Sequence, residues 1–255
     1  MSSVCDTSLP ATWCDAPNFQ PRRNGLTPTL LLMHYTGMES AQAALDILCS
    51  DQSNVSCHYL VDEDGTIIQM VHESERAWHA GQSHWAGQDD INSCSIGIEI
   101  VNEGHAPQLK PFPEQQIVAV TKLAKDIVKR HSILPQNVIG HSDIAPARKK
   151  DPGEKFPWAR LHKSGIGHFV DPVPVGDDKG FGLGDRGDTI AEAQNLFAQY
   201  GYLIGTSGHY DEEAAHVITA FQRHFRPERV DGRLDNSTLQ TLVKLIDTLP
   251  QNMTS

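Results

Sequence analysis

The sequence predicts an α/β (α+β) fold: a mixed central β-sheet flanked by helices, followed by a small three-helix C-terminal domain. Three observations predict it. Short apolar runs interleave with segments of helical spacing up to about residue 170. A stretch from Asp171 to Gly187 then carries two prolines and five glycines with almost no periodicity, which marks a linker or an irregular domain edge. Beyond it the pattern is helical alone.

Each element has its own signal. Leu30-Leu31-Leu32-Met33-His34 is a continuous apolar run that suits a buried strand. Ser40 to Cys49 has helical spacing, with Leu45, Leu48 and Cys49 on one face and Ser40 as its cap. Ser56 to Asp62 and Thr66 to Val71 flank Glu63-Asp64-Gly65 and read as a hairpin whose glycine supplies a positive φ. Ser95 to Val101 is another strand, and Val138-Ile139 reads as a strand end. Pro113 opens an amphipathic helix that runs to His131 through Ile117, Val120, Leu123, Ala124, Ile127 and Val128. Three further helices follow: Thr189 to Tyr200, Glu212 to Phe225 and Ser237 to Leu249. Asp211 and Asp235 stand as caps of the last two. Val217, Ala220, Phe221 and His224 read as one core stripe, and Leu239, Leu242, Val243 and Ile246 as another. The division is 1–175 for a chemical domain and 176–255 for a small module that binds rather than reacts.

Composition narrows the function classes. Acidic residues outnumber basic ones by 32 − 21 = 11, which argues against nucleic acid or an anionic membrane as partner. No apolar run reaches the roughly 18 residues that a membrane span needs. Met1 to Pro10 lacks the basic and apolar regions of a signal peptide. Five cysteines without a C-x-x-C pair fit reduced thiols better than a cysteine-based metal site.

The chemistry concentrates in Gly140-His141-Ser142-Asp143-Ile144-Ala145-Pro146-Ala147-Arg148-Lys149-Lys150-Asp151-Pro152-Gly153. One loop there offers an imidazole, a carboxylate and a fixed positive charge, the ingredients of a zinc hydrolase. A histidine ending a buried strand is usually structural, but His34 beside this loop would complete a set of His34, His141 and Asp151. That set leaves a fourth tetrahedral position for water. In Ile96-Gly97-Ile98-Glu99-Ile100, alternation puts the isoleucines on one sheet face and Glu99 on the other, beside the room left by Gly97. Glu99 is then either a salt-bridge partner under a helix or a general acid–base group with a raised pKa. Lys149 suits an oxyanion-stabilising charge, or one charge of a solvated run, and Arg148 suits a substrate carboxylate.

These residues also carry a resemblance. The string GHSDIAPARKKDPG, with LLLMHYTG, VSCHYLVDEDGTIIQMV, RAWHAGQS and NSCSIGIEIVN, resembles the AmpD/AmiD-type N-acetylmuramoyl-L-alanine amidases, which share a fold with the peptidoglycan-recognition proteins. It runs from about Pro28 to Trp158. AFQRHF followed by VDGRLDNSTLQTLVKL is similar to the three-helix peptidoglycan-binding module of wall hydrolases. The resemblance implies one zinc ion on His34, His141 and Asp151, and not on Asp143. It implies Glu99 as general base, Lys149 at the tetrahedral intermediate, and Arg148 at the diaminopimelate carboxylate of the stem peptide. Trp78, His79 and Tyr59 fall in motifs near the cleft and are candidates for substrate binding, against a plain role in packing. Cys57 stands before His58 where some relatives have tyrosine, so no hydroxyl is expected there. The substrate implied is peptidoglycan or a muropeptide, cut between muramic acid and L-alanine. The alternatives are a non-catalytic wall-binding protein or a zinc endopeptidase of the stem. The module favours polymeric wall, hence the periplasm or a cell envelope; the missing signal peptide favours the cytoplasm.

Overall fold

The computed structural model describes residues 4–249; Met1 to Ser3, the start of the segment without signal-peptide character, and Pro250 to Ser255 lie outside them. In chain order come β1 (Thr12–Trp13), β2 (Phe19–Pro21), β3 (Leu30–Tyr35), α1 (Ala41–Leu48), β4 (Tyr59–Val61), β5 (Ile67–Gln69) and β6 (Glu75–Ala77). Then follow α2 (Ile91–Cys94), β7 (Ser95–Ile100), α3 (Glu114–His131), β8 (Val138–Gly140), α4 (His141–Ile144) and α5 (Trp158–Lys163). The chain closes with α6 (Asp188–Tyr200), α7 (Glu212–Phe225) and α8 (Asn236–Asp247).

Six strands form one mixed sheet in the order β1-β5-β4-β7-β3-β8, and β2 pairs with β6 separately. β4, β7, β3 and β8 run parallel, while β5 is antiparallel to β4 through the expected hairpin, with Gly65 at φ +88°. Register decides what each face carries. Leu60 pairs with Glu99, and Glu99 with His34; Met33 pairs with Gly140, so one step further along β3 sets His34 beside His141. Three parallel strands thereby bring Glu99, His34 and His141 to one row on one face. On the other face Ile96, Ile98 and Ile100 pack with Ile117, Val120 and Leu123 of α3. Side chains of α1, Ala44 and Leu48, join Leu60, Cys57 and Val101 in a smaller core on the site's side.

The caps follow the sequence. Ser40, Asp211 and Asp235 accept from the backbone N–H groups of Ala43, Ala214 and Thr238, each satisfying a donor that the first turn leaves free. The stretch from Asp171 to Gly187 is an irregular edge held onto α8 rather than a free tether. Ser237 Oγ donates to the Val173 carbonyl at 2.6 Å, Val173 N–H donates to Thr241 Oγ1 at 3.0 Å, and Asn236 N–H donates to Asp178 at 2.9 Å. The apolar core runs without a break from the sheet into α6, α7 and α8.

Candidate metal centre

Three side-chain atoms converge at the end of the sheet. His34 Nδ1, His141 Nδ1 and Asp151 Oδ2 lie 3.0 Å from one another, and all three residues are buried. His34 comes from the penultimate position of β3, and His141 is the first residue of α4, directly after β8. Asp151 is ten residues on, yet the Ser142 N–H donates to the Asp151 carbonyl at 2.9 Å and closes the loop.

Tautomers show what this triangle can hold. His141 Nε2 lies 3.1 Å from the Ala80 carbonyl, which only accepts, so Nε2 carries the proton and Nδ1 presents a lone pair. His34 Nε2 lies 3.1 Å from His79 Nδ1, and His79 Nε2 lies 3.3 Å from Ser95 Oγ. A consistent chain has His34 Nε2–H donating to His79 and His79 Nε2–H donating to the serine. Both imidazoles then aim lone pairs at one point, together with a carboxylate oxygen, an arrangement that a cation stabilises and that repels without one. Each ring's second nitrogen is oriented by a partner behind it, as ligating histidines require. Burial, and then the neighbouring His141, push His34 down to about 4, so it stays neutral at neutral pH.

Glu99 is the next residue in the row. It is half-buried, but its Oε2 atom is buried and has no hydrogen-bond partner among the described residues. Burial, and then the Asp151 charge, push its carboxyl well above the ordinary range, with Lys149 opposing. Lys149 is half-buried, and the same lysine charge acts on His34. Arg148 is exposed; its Nη2 donates to the Ala80 carbonyl at 3.1 Å and also to that of Gln82. It borders a cleft of about 630 Å³, between the 82–89 and 143–148 loops on one side and Leu203, Glu212, Glu213 and His216 on the other.

The remaining candidates divide. His79 does not face the cleft: it is buried behind His34 as a support, so a substrate contact gives way to an orienting hydrogen bond. Trp78 is half-buried, with its backbone N–H on Ser56 Oγ at 2.9 Å. Tyr59 is displaced altogether. It pairs with Ile98, one position off the Glu99 row, so its ring points to the α3 face, and its hydroxyl donates to Glu73 at 2.7 Å. Register and that bond place Tyr59 away from the Glu99 row, in the packing role that the sequence also allows.

Several residues of the centre escaped sequence reasoning. His58 is buried and neutral, pushed down to about 3 by burial and then by Arg22; its Nδ1 accepts from the Gly97 N–H at 3.1 Å. Asn92 Oδ1 accepts from the N–H groups of His79 and Ala80 and fixes that turn. Gly97 was the available signal. A Cβ there would lie 2.6 Å from His79 Nδ1 and 2.8 Å from Cys57 Sγ, so its missing side chain makes room for the His79 support.

A mixed sheet carrying a buried His-His-Asp triangle with a carboxyl group beside it, joined to a helical unit, defines a wall-amidase architecture, and the chain belongs to the N-acetylmuramoyl-L-alanine amidase family. The profile of that family matches residues 24–154, and the profile of a putative peptidoglycan binding domain matches 186–242. The chain is 39% identical over 240 residues to the N-acetylmuramoyl-L-alanine amidase AmiD of Escherichia coli, covering 88% of this chain and 84% of that protein. It is 36% identical over 164 residues to the 1,6-anhydro-N-acetylmuramyl-L-alanine amidase AmpD of the same organism, covering 57% and 87%. Among solved structures it resembles E. coli AmiD in complex with anhydro-N-acetylmuramic acid-L-Ala-D-gamma-Glu-L-Lys, with TM-score 0.74, 37% identity and 94% of both chains covered. It also resembles AmpDh3 of Pseudomonas aeruginosa in complex with an anhydromuramic pentapeptide, with TM-score 0.73, 31% identity, and 98% and 100% covered.

Proposed function

We propose that this chain is a zinc-dependent amidase that hydrolyses the bond between the lactyl group of N-acetylmuramic acid, or its anhydro form, and the L-alanine of the stem peptide. The observation that carries the reading is the His34–His141–Asp151 triangle, three ligand atoms 3.0 Å from one another, with the Ala80 carbonyl turning the His141 Nδ1 lone pair inward. The substrate class rests on the two relatives solved with anhydromuramyl peptides. His34, His141 and Asp151 would hold one zinc ion per chain. Zinc there supplies Lewis acidity, which makes water a usable nucleophile at neutral pH and polarises the amide carbonyl.

The chain's own groups do the rest. Glu99 accepts the proton of the attacking water and delivers it to the departing L-alanine nitrogen, so the carboxyl ends as it began. A carboxyl with a raised pKa and a buried, unpartnered oxygen suits that traffic. Lys149 stabilises the negative charge that develops on the carbonyl oxygen. Arg148 retains donors beyond those on Ala80 and Gln82 and meets the stem carboxylate at the cleft.

Residues 1–175 form the catalytic part and 176–255 the wall-binding part. The match over 186–242 supports polymeric wall as substrate, and hence action at the cell envelope on its periplasmic side. No helix among the described residues is long and apolar enough to cross a membrane. Parallel digestion of sacculi and soluble anhydro-muropeptides, with and without a chelator, tests the reading. Intact stem peptides, chelator-sensitive release and restoration by zinc are expected; shortened stems, or release indifferent to the chelator, would overturn it.

A further inference from the structure

Asp143 lies in the same helical turn as His141 but outside the metal triangle, and what holds it comes mostly from the far end of the chain. It is 1% exposed. Its Oδ2 accepts from the Gly140 N–H at 2.8 Å and from His224 Nδ1 at 2.8 Å, and its Oδ1 accepts from the Tyr202 hydroxyl at 2.7 Å. Burying a carboxyl group is costly unless its oxygens are hydrogen-bonded, and these donors meet both of them. Two of the three belong to the helical unit: His224 to α7, and Tyr202 to the segment after α6. His224 is fixed in turn, stacked on Trp158 with ring centroids 3.8 Å apart.

A second contact reaches His141 from its other side. The Ala80 carbonyl, which sets the His141 tautomer, opens the loop that carries Trp85 and Ala86. Ala86 N–H donates to the Gly201 carbonyl at 2.8 Å, and the Trp85 ring meets Tyr202 edge-on at 5.0 Å. Both the turn that carries His141 and the loop that orients its ring are therefore tied to one short segment of the helical unit, Gly201 and Tyr202.

We propose that Tyr202 and His224, acting through Asp143, are positioning residues for the metal centre, so that the helical unit holds the His141 turn in its zinc-binding geometry besides any contact with the wall. The proposal rests on the zinc reading above. Partners behind a metal ligand typically contribute about 10–100-fold in metal affinity, and Asp143 occupies that place for the turn as Ala80 does for the ring.

The test uses the full chain and three variants. His224→Phe keeps an aromatic ring against Trp158 but removes the donor, His224→Asn keeps a donor near the Nδ1 position, and Tyr202→Phe removes one hydroxyl alone. Zinc content and zinc release to a chromogenic chelator are measured beside kcat and KM on a soluble anhydro-muropeptide and pelleting with sacculi. In His224→Phe zinc should leave about tenfold faster or more, with kcat reduced, KM unchanged and sacculus binding intact. His224→Asn should recover most of the loss, and Tyr202→Phe should fall between. Wild-type zinc release in both His224→Phe and Tyr202→Phe would overturn the proposal, as would equal loss in His224→Asn and His224→Phe. If the wild-type chain itself binds no zinc, the zinc reading fails instead.

Discussion

Glu99 and Tyr59 stand on adjacent strands one position out of register, and that single step separates the proposed acid–base group from a structural one. Leu60 pairs with Glu99, whereas Tyr59 pairs with Ile98, so their side chains leave opposite faces of the sheet. Replacing Glu99 by Gln should lower turnover by on the order of 10²–10⁴, the usual contribution of a general acid–base group. Zinc content should stay unchanged, because Glu99 lies beside the triangle and not in it; parallel metal analysis and turnover measurements check both parts. Tyr59→Phe should leave turnover alone and cost about 2 kcal/mol of stability, the worth of one hydrogen bond to a charged group. Equilibrium denaturation with a matched activity assay separates the two, and a fall in turnover would return Tyr59 to the substrate's side. At this scale the sequence was informative where spacing within one segment mattered. Alternation in Ile96–Ile100 set Glu99 against the isoleucines, and one loop held both His141 and Asp151. It offered Tyr59 both for substrate binding and for packing and could not choose, because the face a strand residue takes relative to another strand depends on inter-strand register, which no single segment encodes. His79 was legible as a member of the site's neighbourhood but not as the support of His34, since that contact joins residues 45 positions apart on separate segments.

At the scale of elements, Glu73 ties the turn after β5 to the end of α3. Its buried carboxylate accepts from Tyr59 at 2.7 Å, from Arg130 Nη2 at 2.7 Å and from His131 Nε2 at 2.7 Å, with a further contact from Arg130 Nη1. Burial by itself would raise this carboxyl, but the bonds from Arg130, His131 and Tyr59 outweigh it and bring it down to about 2. A carboxylate depressed in the folded state contributes stability above its unfolded pKa of about 4.5, and that contribution is lost as pH falls through the folded value. The stability gap between wild type and Glu73→Gln should therefore close by roughly 2–3 kcal/mol between about pH 4.5 and pH 2. Denaturant titrations of both proteins across that range measure it; a gap that does not change with pH would mean the network contributes nothing through charge. Elements were the most legible scale in the sequence, since caps and apolar periodicity are local. Ser40, Asp211 and Asp235 stand where the chain needs them. The exceptions are two- to four-residue pieces such as β1, β6, α2 and α4, too short to show a period and formed because neighbouring strands and turns complete them.

For the whole molecule, the pattern of the sequence separates a mixed-sheet part from a helical part, and the core does not. Reading His224 as one more position of a core stripe was right about burial and silent about its bond to Asp143, which joins residues 81 positions apart. The seam is also packed. Tyr200 and Tyr202 meet Trp85 edge-on at 6.1 and 5.0 Å, and His168 bridges Tyr200 and Thr248 at 2.9 and 3.0 Å. Gly201 sits at the centre of that seam with φ +135°, and a Cβ there would lie 2.8 Å from the Trp85 ring. Gly201→Ala therefore combines a backbone conformation that L residues rarely adopt with a clash between a buried ring and a backbone that cannot shift alone. The expected cost is about 2–4 kcal/mol, or on the order of 5 °C in Tm for a chain of this size. Because the core is continuous, the loss should lower one cooperative transition seen equally by tryptophan fluorescence and far-UV circular dichroism. Two separated transitions, with only the helical signal shifted, would mean that the seam does not couple the parts and that the metal-bearing turn is held from its own side alone.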